Sequence, residues 1–351
     1  MLSESALVKL VNCNSGLATS SLTYKTTLIT TIKRRLSDVG IYLVESNEVK
    51  SFKVCVKKLN ATALVHNELA FLKQEYINHQ AVYFELNCSL HLPRVYGLDE
   101  NEKVLVSEYL PHNTTFEKWF TSIPNWLLNK RFSKLEAANI KIAEILRIFH
   151  AADCSNIKGV TSAKIENMKE YLLLRIKLIL EYLTARHFPS KTITQFSDLE
   201  NLVHSLDESL INSNNNKLIH GDFTPANLLQ MADGEIGVID FADVRFSCVE
   251  QDIACFQNYI LMLSLNKFWF GAKKTERLIK SFEDAYFESS NLSHSKLATF
   301  RFRMLLTNTL TLVYECQSNK LKAILFRRKL KRYVSKLIEY NQILGTDNEF
   351  N

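Results

Sequence analysis

Apolar and polar positions alternate most clearly in Phe52-Lys53-Val54-Cys55-Val56-Lys57-Lys58-Leu59, which predicts a strand with Val54 and Val56 on one face and Cys55 and Lys57 on the other. Lys217-Leu218-Ile219-His220 reads as a second, shorter strand, and Lys103 to Leu110 as a buried one that Pro111 ends. Leu228 to Met231 and Ile236 to Ile239 read as paired strands. The turn Ala232-Asp233-Gly234-Glu235 joins them, and its Asp-Gly pair is a strong hairpin signal. Elsewhere apolar residues recur at helical spacing. Such a pattern starts at Glu68 after the polar Asn67, and another runs from Glu136 to Ala152 through Ile140, Ala143, Leu146, Ile148 and Phe149. Further helices are expected over Glu166 to Arg186, Asp198 to Ile211, Gln251 to Leu265, Lys273 to Ser289 and Ser295 to Gln317. The fold class expected is α+β. A smaller lobe over residues 1–107 combines a sheet with one helix, and a larger, mainly α-helical lobe covers 108–351.

Composition fits this division: 351 residues, 46% hydrophobic and 23% charged, suffice for two domains with full cores. The longest apolar stretch, Leu172 to Leu183, is interrupted by Arg175, Lys177 and Glu181, so no membrane-spanning segment is expected. The first twenty residues lack a basic start followed by an apolar run, so secretion by a signal peptide is not expected either. Seven cysteines lie scattered without a C-x-x-C pair, the pattern of reduced thiols in a cytoplasmic protein rather than of a disulfide framework or a zinc site.

Charge is concentrated in one place. Of 43 basic residues, eight fall between Gln317 and Lys336 with no acidic residue among them, and the other 35 are outnumbered by 37 acidic ones. The stretch also carries an apolar stripe, Leu321, Ile324, Leu325, Tyr333, Val334, Leu337 and Ile338, so it reads as a helix packed on the larger lobe with a basic face outward. A solvated face, an anionic substrate and peripheral contact with an acidic membrane surface are the readings open to it. Nucleic acid is not expected, because no stacking aromatics interleave the charges.

The segment richest in chemistry is His220-Gly221-Asp222-Phe223-Thr224-Pro225-Ala226-Asn227, followed thirteen residues later by Asp240-Phe241. Gly221 and Pro225 mark a loop, and the hairpin beyond it returns Asp240 beside Asn227. One carboxylate meeting a hydroxyl, with an amide and a second carboxylate holding magnesium, is the arrangement that phosphoryl transfer needs. Asp222 is the candidate base, Asn227 and Asp240 the candidate metal ligands, and His220 a scaffold residue.

These residues resemble the aminoglycoside phosphotransferase and choline kinase-like superfamily, which shares the His-Gly-Asp-x-x-x-x-Asn loop and a later Ile-Asp-Phe/Trp segment. The likeness extends to Glu250-Gln251-Asp252-Ile253-Ala254, where it makes Asp252 a structural brace for the catalytic loop, and to Phe149-His150, which closes a supporting helix. It implies a two-lobed protein-kinase-like fold with an antiparallel N-lobe sheet. It also implies ATP and Mg2+ as cofactors and transfer of the terminal phosphoryl group to a hydroxyl of a small molecule, such as a metabolite, an amino alcohol or a sugar or glycan unit. If the basic stretch lines the site it would oppose polycations, so a metabolite or a sugar ranks above an aminoglycoside antibiotic as acceptor, and an anionic acceptor stays open. A catalytically silent nucleotide-binding scaffold of the same fold is the alternative from another class.

A nucleotide site also needs a strand lysine and a partner for it. Lys57 is the candidate to reach the phosphates, against the reading of two solvated lysines on an edge strand. Glu68 is the expected partner, with Glu75 on the same helical face as competitor. Glu108 and Tyr109 are expected to meet the adenine edge through their main chain, as at the hinge of kinase-like folds. No G-x-G-x-x-G run precedes Lys57, and Leu36-Ser37-Asp38-Val39-Gly40 is the candidate phosphate-covering turn, with Ser37 as a donor and Asp38 opposing it. Asp240-Phe241-Ala242 lacks the glycine of protein kinases, which points to a small-molecule enzyme without a mobile activation segment.

Overall fold

The protein is described by a computed structural model. The described residues are Leu7, 24–33, 37–46, 51–59, 68–122, 125–153, 157–161, 168–206, 217–266, 271–287, 294–318 and 327–339. In chain order the elements begin with β1 (Tyr24–Lys33), β2 (Ser37–Ser46), β3 (Phe52–Leu59), α1 (Glu68–Leu86), β4 (Val95–Asp99), β5 (Val104–Glu108) and β6 (His112–Thr115). Helices α2 (Phe116–Ser122), α3 (Asn125–His150), α4 (Met168–Ala185) and α5 (Ser190–Ser205) follow. Then come β7 (Lys217–Ile219), a 3-10 turn (Pro225–Asn227), β8 (Leu228–Met231), β9 (Ile236–Val238) and β10 (Arg245–Ser247). Helices α6 (Glu250–Asn266), α7 (Ala272–Phe287), α8 (His294–Ser318) and α9 (327–339) complete the chain.

The architecture is α+β, with an antiparallel sheet in the N-lobe and a helical C-lobe. The chain groups into two compact units, one of Met1–Trp119, Ala151–Thr161 and His220–Phe246, the other of Phe120–His150, Ser162–Ile219 and Ser247–Asn351. This grouping divides the chain differently from a boundary after residue 107: the loop and hairpin of 220–246 belong with the sheet.

In the first unit five strands pair antiparallel in the order β1-β2-β3-β5-β4. Their alternation sorts side chains into two cores. Val54 and Val56 of β3 join Tyr42, Val44, Tyr96, Val104 and Val106 on one face. Leu59 and Leu105 join Val95 and Leu72 of α1 on the other. Helix α1 thus covers one face of the sheet, and that is the face Lys57 shares. A second sheet, β6-β8-β9, contains the expected hairpin, with Leu228 opposite Val238 and Gln230 opposite Ile236.

The phosphate-covering turn expected over residues 36–40 is corrected. Ser37 to Gly40 are the opening of β2, with Asp38 opposite Lys33 of β1 and Ser37 opposite Leu59 of β3. Leu36 lies outside the described residues. The single glycine and the β-branched residues beyond it favour a continuous strand over a loop.

The second unit is helical: α3 packs on α7, α8 on α6 and α4, and α4 on α5. The basic stretch read over 317–336 falls partly on 319–326, outside the described residues, while α9 spans 327–339. Leu330, Tyr333, Val334 and Leu337 of α9 are buried, and Arg327, Arg328, Lys331 and Arg332 are exposed. No helix among the described residues is long and apolar enough to cross a membrane.

Candidate active site

Lys57 points from β3 toward α1, and its ammonium binds two carboxylates, Glu75 Oε1 at 2.7 Å and Asp240 Oδ1 at 2.8 Å. The helix partner is therefore Glu75, a correction to the choice of Glu68. Both residues lie on one helical face, but Glu68 is the first residue of α1, about 10 Å further back at 1.5 Å per residue. The decisive neighbour is Leu72, fully buried against the sheet, which sets Glu75 one turn later beside Lys57. Burial alone would lower the lysine's affinity for its proton, but Glu75 and Asp240 outweigh it and hold Lys57 above the ordinary lysine range. At Glu75 burial pushes the carboxyl up to about 7, Lys57 pulls it down, and Asp240 and Asp243 add to the rise. With Nζ at 2.7 Å, the geometry favours the ionised pair.

Asp240 sits in the left-handed region at φ 70°, a conformation that costs a non-glycine residue about 1–2 kcal/mol and turns its carboxylate back toward β3. Asn78 of α1 holds the following residues: its amide donates to the carbonyls of Phe241 and Ala242, each at 3.2 Å, and Val244 at 3.0 Å. His79 packs its ring on Phe241, with centroids 4.8 Å apart, and donates from Nε2 to Pro93 O at 2.7 Å. Burial lowers the His79 pKa to about 4, so the ring is a neutral packing element. Glu75, Asn78 and His79 together make α1 the wall against which the Asp240 segment is set. Asn78 and His79 escaped the sequence reading, because nothing in a helical pattern announces a polar side chain whose partners lie on other segments, residues 241–244 for Asn78 and Pro93 and Phe241 for His79.

The loop after β7 carries the second carboxylate. Asn227 donates from Nδ2 to both the carbonyl and the Oδ2 of Asp222, at 3.0 and 2.9 Å. The Asn227 amide oxygen is thus directed away from Asp222, and Ile239 N donating to Asn227 O at 3.0 Å sets Asp240 alongside. His220 is fully buried, donates from Nε2 to Ile239 O at 3.1 Å, and packs on Phe223 and Phe241. This is the scaffold role expected of it. Burial, with Asp240 and Asp243 nearby, raises the Asp222 carboxyl to about 6 against the opposing pull of His220 and the Asn227 bond.

Gly221 makes the loop possible. Its φ is +82°, and a Cβ there would lie 2.2 Å from the carbonyl oxygen of Asp243. Gly221→Ala is expected to cost at least about 2 kcal/mol, combining left-handed strain with a backbone clash, read as a lower thermal midpoint.

Asn227 and Asp240 offer two hard oxygens on adjoining segments. Among the described residues no cluster of three or more His, Cys, Asp or Glu side chains is arranged to hold a metal. A donor set of one amide and one carboxylate suits magnesium, which takes one or two protein oxygens and completes its octahedron with phosphates and water.

The hinge expectation is only partly met. Strand β5 ends at Glu108, two residues short of the expected Leu110, and the N–H groups of Glu108 and of Tyr109 just beyond it already donate to Arg94 O at 2.7 Å and Lys53 O at 3.2 Å. The two main-chain donors expected to meet adenine are therefore engaged within the sheet. In the helical unit Asp252 is fully buried beside His150, Oδ2 to Nε2 3.1 Å, and His150 Nδ1 meets the Tyr286 hydroxyl at 2.7 Å. Asp252 so ties α6 to the end of α3.

The sequence profile of the phosphotransferase enzyme family, APH, matches residues 41–294, a span that contains Lys57, Glu75, Asp222, Asn227 and Asp240. The chain belongs to that family. Among solved structures it is similar to a choline kinase from Cryptosporidium parvum Iowa II at 13% identity, covering 99% of this chain and 97% of that one, with a TM-score of 0.55. Amicoumacin kinase hAmiN, solved in complex with AMP-PNP, Ca2+ and Ami, is 13% identical over 97% of both chains, with a TM-score of 0.54. The ADP-bound aminoglycoside phosphotransferase APH(2'')-Ib is 15% identical over 96% of this chain and 99% of that one, with a TM-score of 0.51. At these identities the likeness establishes the fold. No curated protein matches the chain.

Proposed function

We propose that the protein moves the terminal phosphoryl group of ATP to a hydroxyl of a small molecule, a metabolite, an amino alcohol or a sugar or glycan unit. The observation that supports this best is the pairing of Lys57 with both Glu75 and Asp240 in the same compact unit as the Asn227-held carboxylate of Asp222.

An ammonium has three N–H donors. Glu75 and Asp240 take two, so one remains for a phosphate oxygen while the carboxylates hold Lys57 charged and in place. Asp222 accepts the hydroxyl proton as the acceptor oxygen bonds to phosphorus and the bond to the leaving diphosphate breaks. Asn227 fixes the Asp222 carboxylate so that its other oxygen can face the acceptor. Magnesium, held by the Asn227 amide oxygen and the Asp240 carboxylate, would supply charge neutralisation on the phosphates.

Incubating the protein with ATP, magnesium and a pool of cell metabolites tests the reading, with a phosphate mass gain on one acceptor as the expected result. ATP consumption and mass gain indistinguishable from a protein-free control across the pool would favour a catalytically silent scaffold. The pH dependence gives a further check. A base that must be ionised, with its carboxyl raised to about 6, loses activity as pH falls through that value. kcat/KM is expected to drop about tenfold per pH unit below 6, well above the range in which an ordinary aspartate would titrate.

A further inference from the structure

Helix α9 uses its apolar stripe inside the fold and leaves a polar face that is almost wholly basic. Arg327, Arg328, Lys331 and Arg332 are exposed at spacings that keep them on one side, with Ser335 continuing the row. Two contacts fix the helix in the helical unit: the Arg327 guanidinium lies over the Phe188 ring, 5.6 Å from its centroid, and Arg332 donates to Leu265 O at 2.9 Å. The first of these brings the basic face against the corner between α4 and α5, where Arg186, His187 and Lys191 are also exposed. Two acidic side chains of this region are already engaged by lysines outside the row. Glu339 is held by Lys336 at 2.6 Å, and Glu315 acts on Lys329, whose ammonium lies over Tyr333.

We propose that α9 and the 186–191 corner form an electrostatic docking face for a membrane surface bearing anionic phospholipid. Clusters of four to eight Lys and Arg on a helix bind such surfaces by charge alone. A specific protein interface needs an apolar or aromatic centre, and here Leu330, Tyr333, Val334 and Leu337 are all turned into the fold. A single-stranded nucleic acid needs stacking rings between the charges, and the exposed positions 327, 328, 331, 332 and 335 are arginine, lysine and serine. A diffuse layer of phosphate charge asks for neither. The face would hold the enzyme at the surface without deep insertion, since Leu330, Tyr333, Val334 and Leu337 are buried and Ile338 is half-buried.

The test is co-sedimentation of the full chain with vesicles of phosphatidylcholine alone and of equal parts phosphatidylcholine and phosphatidylglycerol. Binding to the anionic vesicles only, lost at about 1 M salt where the screening length is about 3 Å, is expected. The triple variant R327Q/R328Q/K331Q should bind roughly 100-fold more weakly, and Arg186→Gln with Lys191→Gln roughly 20-fold, since each basic residue contributes about fivefold. Should the triple variant fail to match the parent's circular dichroism, the corner variant and the salt series decide. Absence of binding to anionic vesicles, binding that survives both substitutions, or binding to a single-stranded oligonucleotide in place of vesicles at the same salt would overturn the proposal.

Discussion

Replacing Asp222 by asparagine is expected to lower kcat by about 10²- to 10⁴-fold while leaving nucleotide affinity unchanged. The substitution keeps the shape of the side chain, and a carbonyl oxygen can still accept from Asn227 Nδ2, so the loop should hold its form. What is lost is the capacity to take a proton. Because the parent carboxyl is raised to about 6 by burial and by Asp240 and Asp243, the variant should also lose the acid limb of the pH profile. Steady-state kinetics with the acceptor, alongside nucleotide titration, separate the two effects. A parallel fall in nucleotide affinity would assign Asp222 to binding rather than to proton transfer.

Asp240→Asn should act at a different point and cost about 10²- to 10³-fold in kcat/KM. Asp240 does two things at once: it neutralises one side of Lys57 and presents a carboxylate beside Asn227. Without that negative charge Lys57 keeps Glu75 alone, and the oxygen offered to a cation becomes a neutral amide. The amount of magnesium needed for half-maximal rate is therefore expected to rise, a change that Asp222→Asn should not produce. An unaltered magnesium requirement in the Asp240 variant would remove Asp240 from the metal site and leave it only as a partner of Lys57.

The parts of this centre that were legible in the sequence are those set by local periodicity and turn chemistry. Strand β3 and the β8–β9 hairpin follow from alternation and from Asp233-Gly234, and they place Lys57 and Asp240 on their segments without any knowledge of the rest. What the sequence left open depends on register between distant elements. Glu68 and Glu75 are equivalent to a 3.6-residue period, and only the seating of Leu72 against Leu59 and Leu105 separates them. The three carbonyls that Asn78 binds are likewise invisible until α1 lies beside residues 241–244. Strand β1 carries no readable alternation, because nearly all of its positions are exposed on both faces, so its threonines and isoleucines set no buried side. At Glu108 and Tyr109 the strand was legible, but its main-chain partners Arg94 and Lys53 were not.

The most direct test of the central claim, that Lys57, Asp222, Asn227 and Asp240 act together in moving a phosphoryl group, is phosphorus NMR of ATP incubated with magnesium, the identified acceptor and either parent or Asp222→Asn protein. The account predicts a new phosphate-ester signal that grows with ADP in the parent and is slowed at least about 100-fold in the variant. Equal rates of ester formation by the two proteins would contradict it.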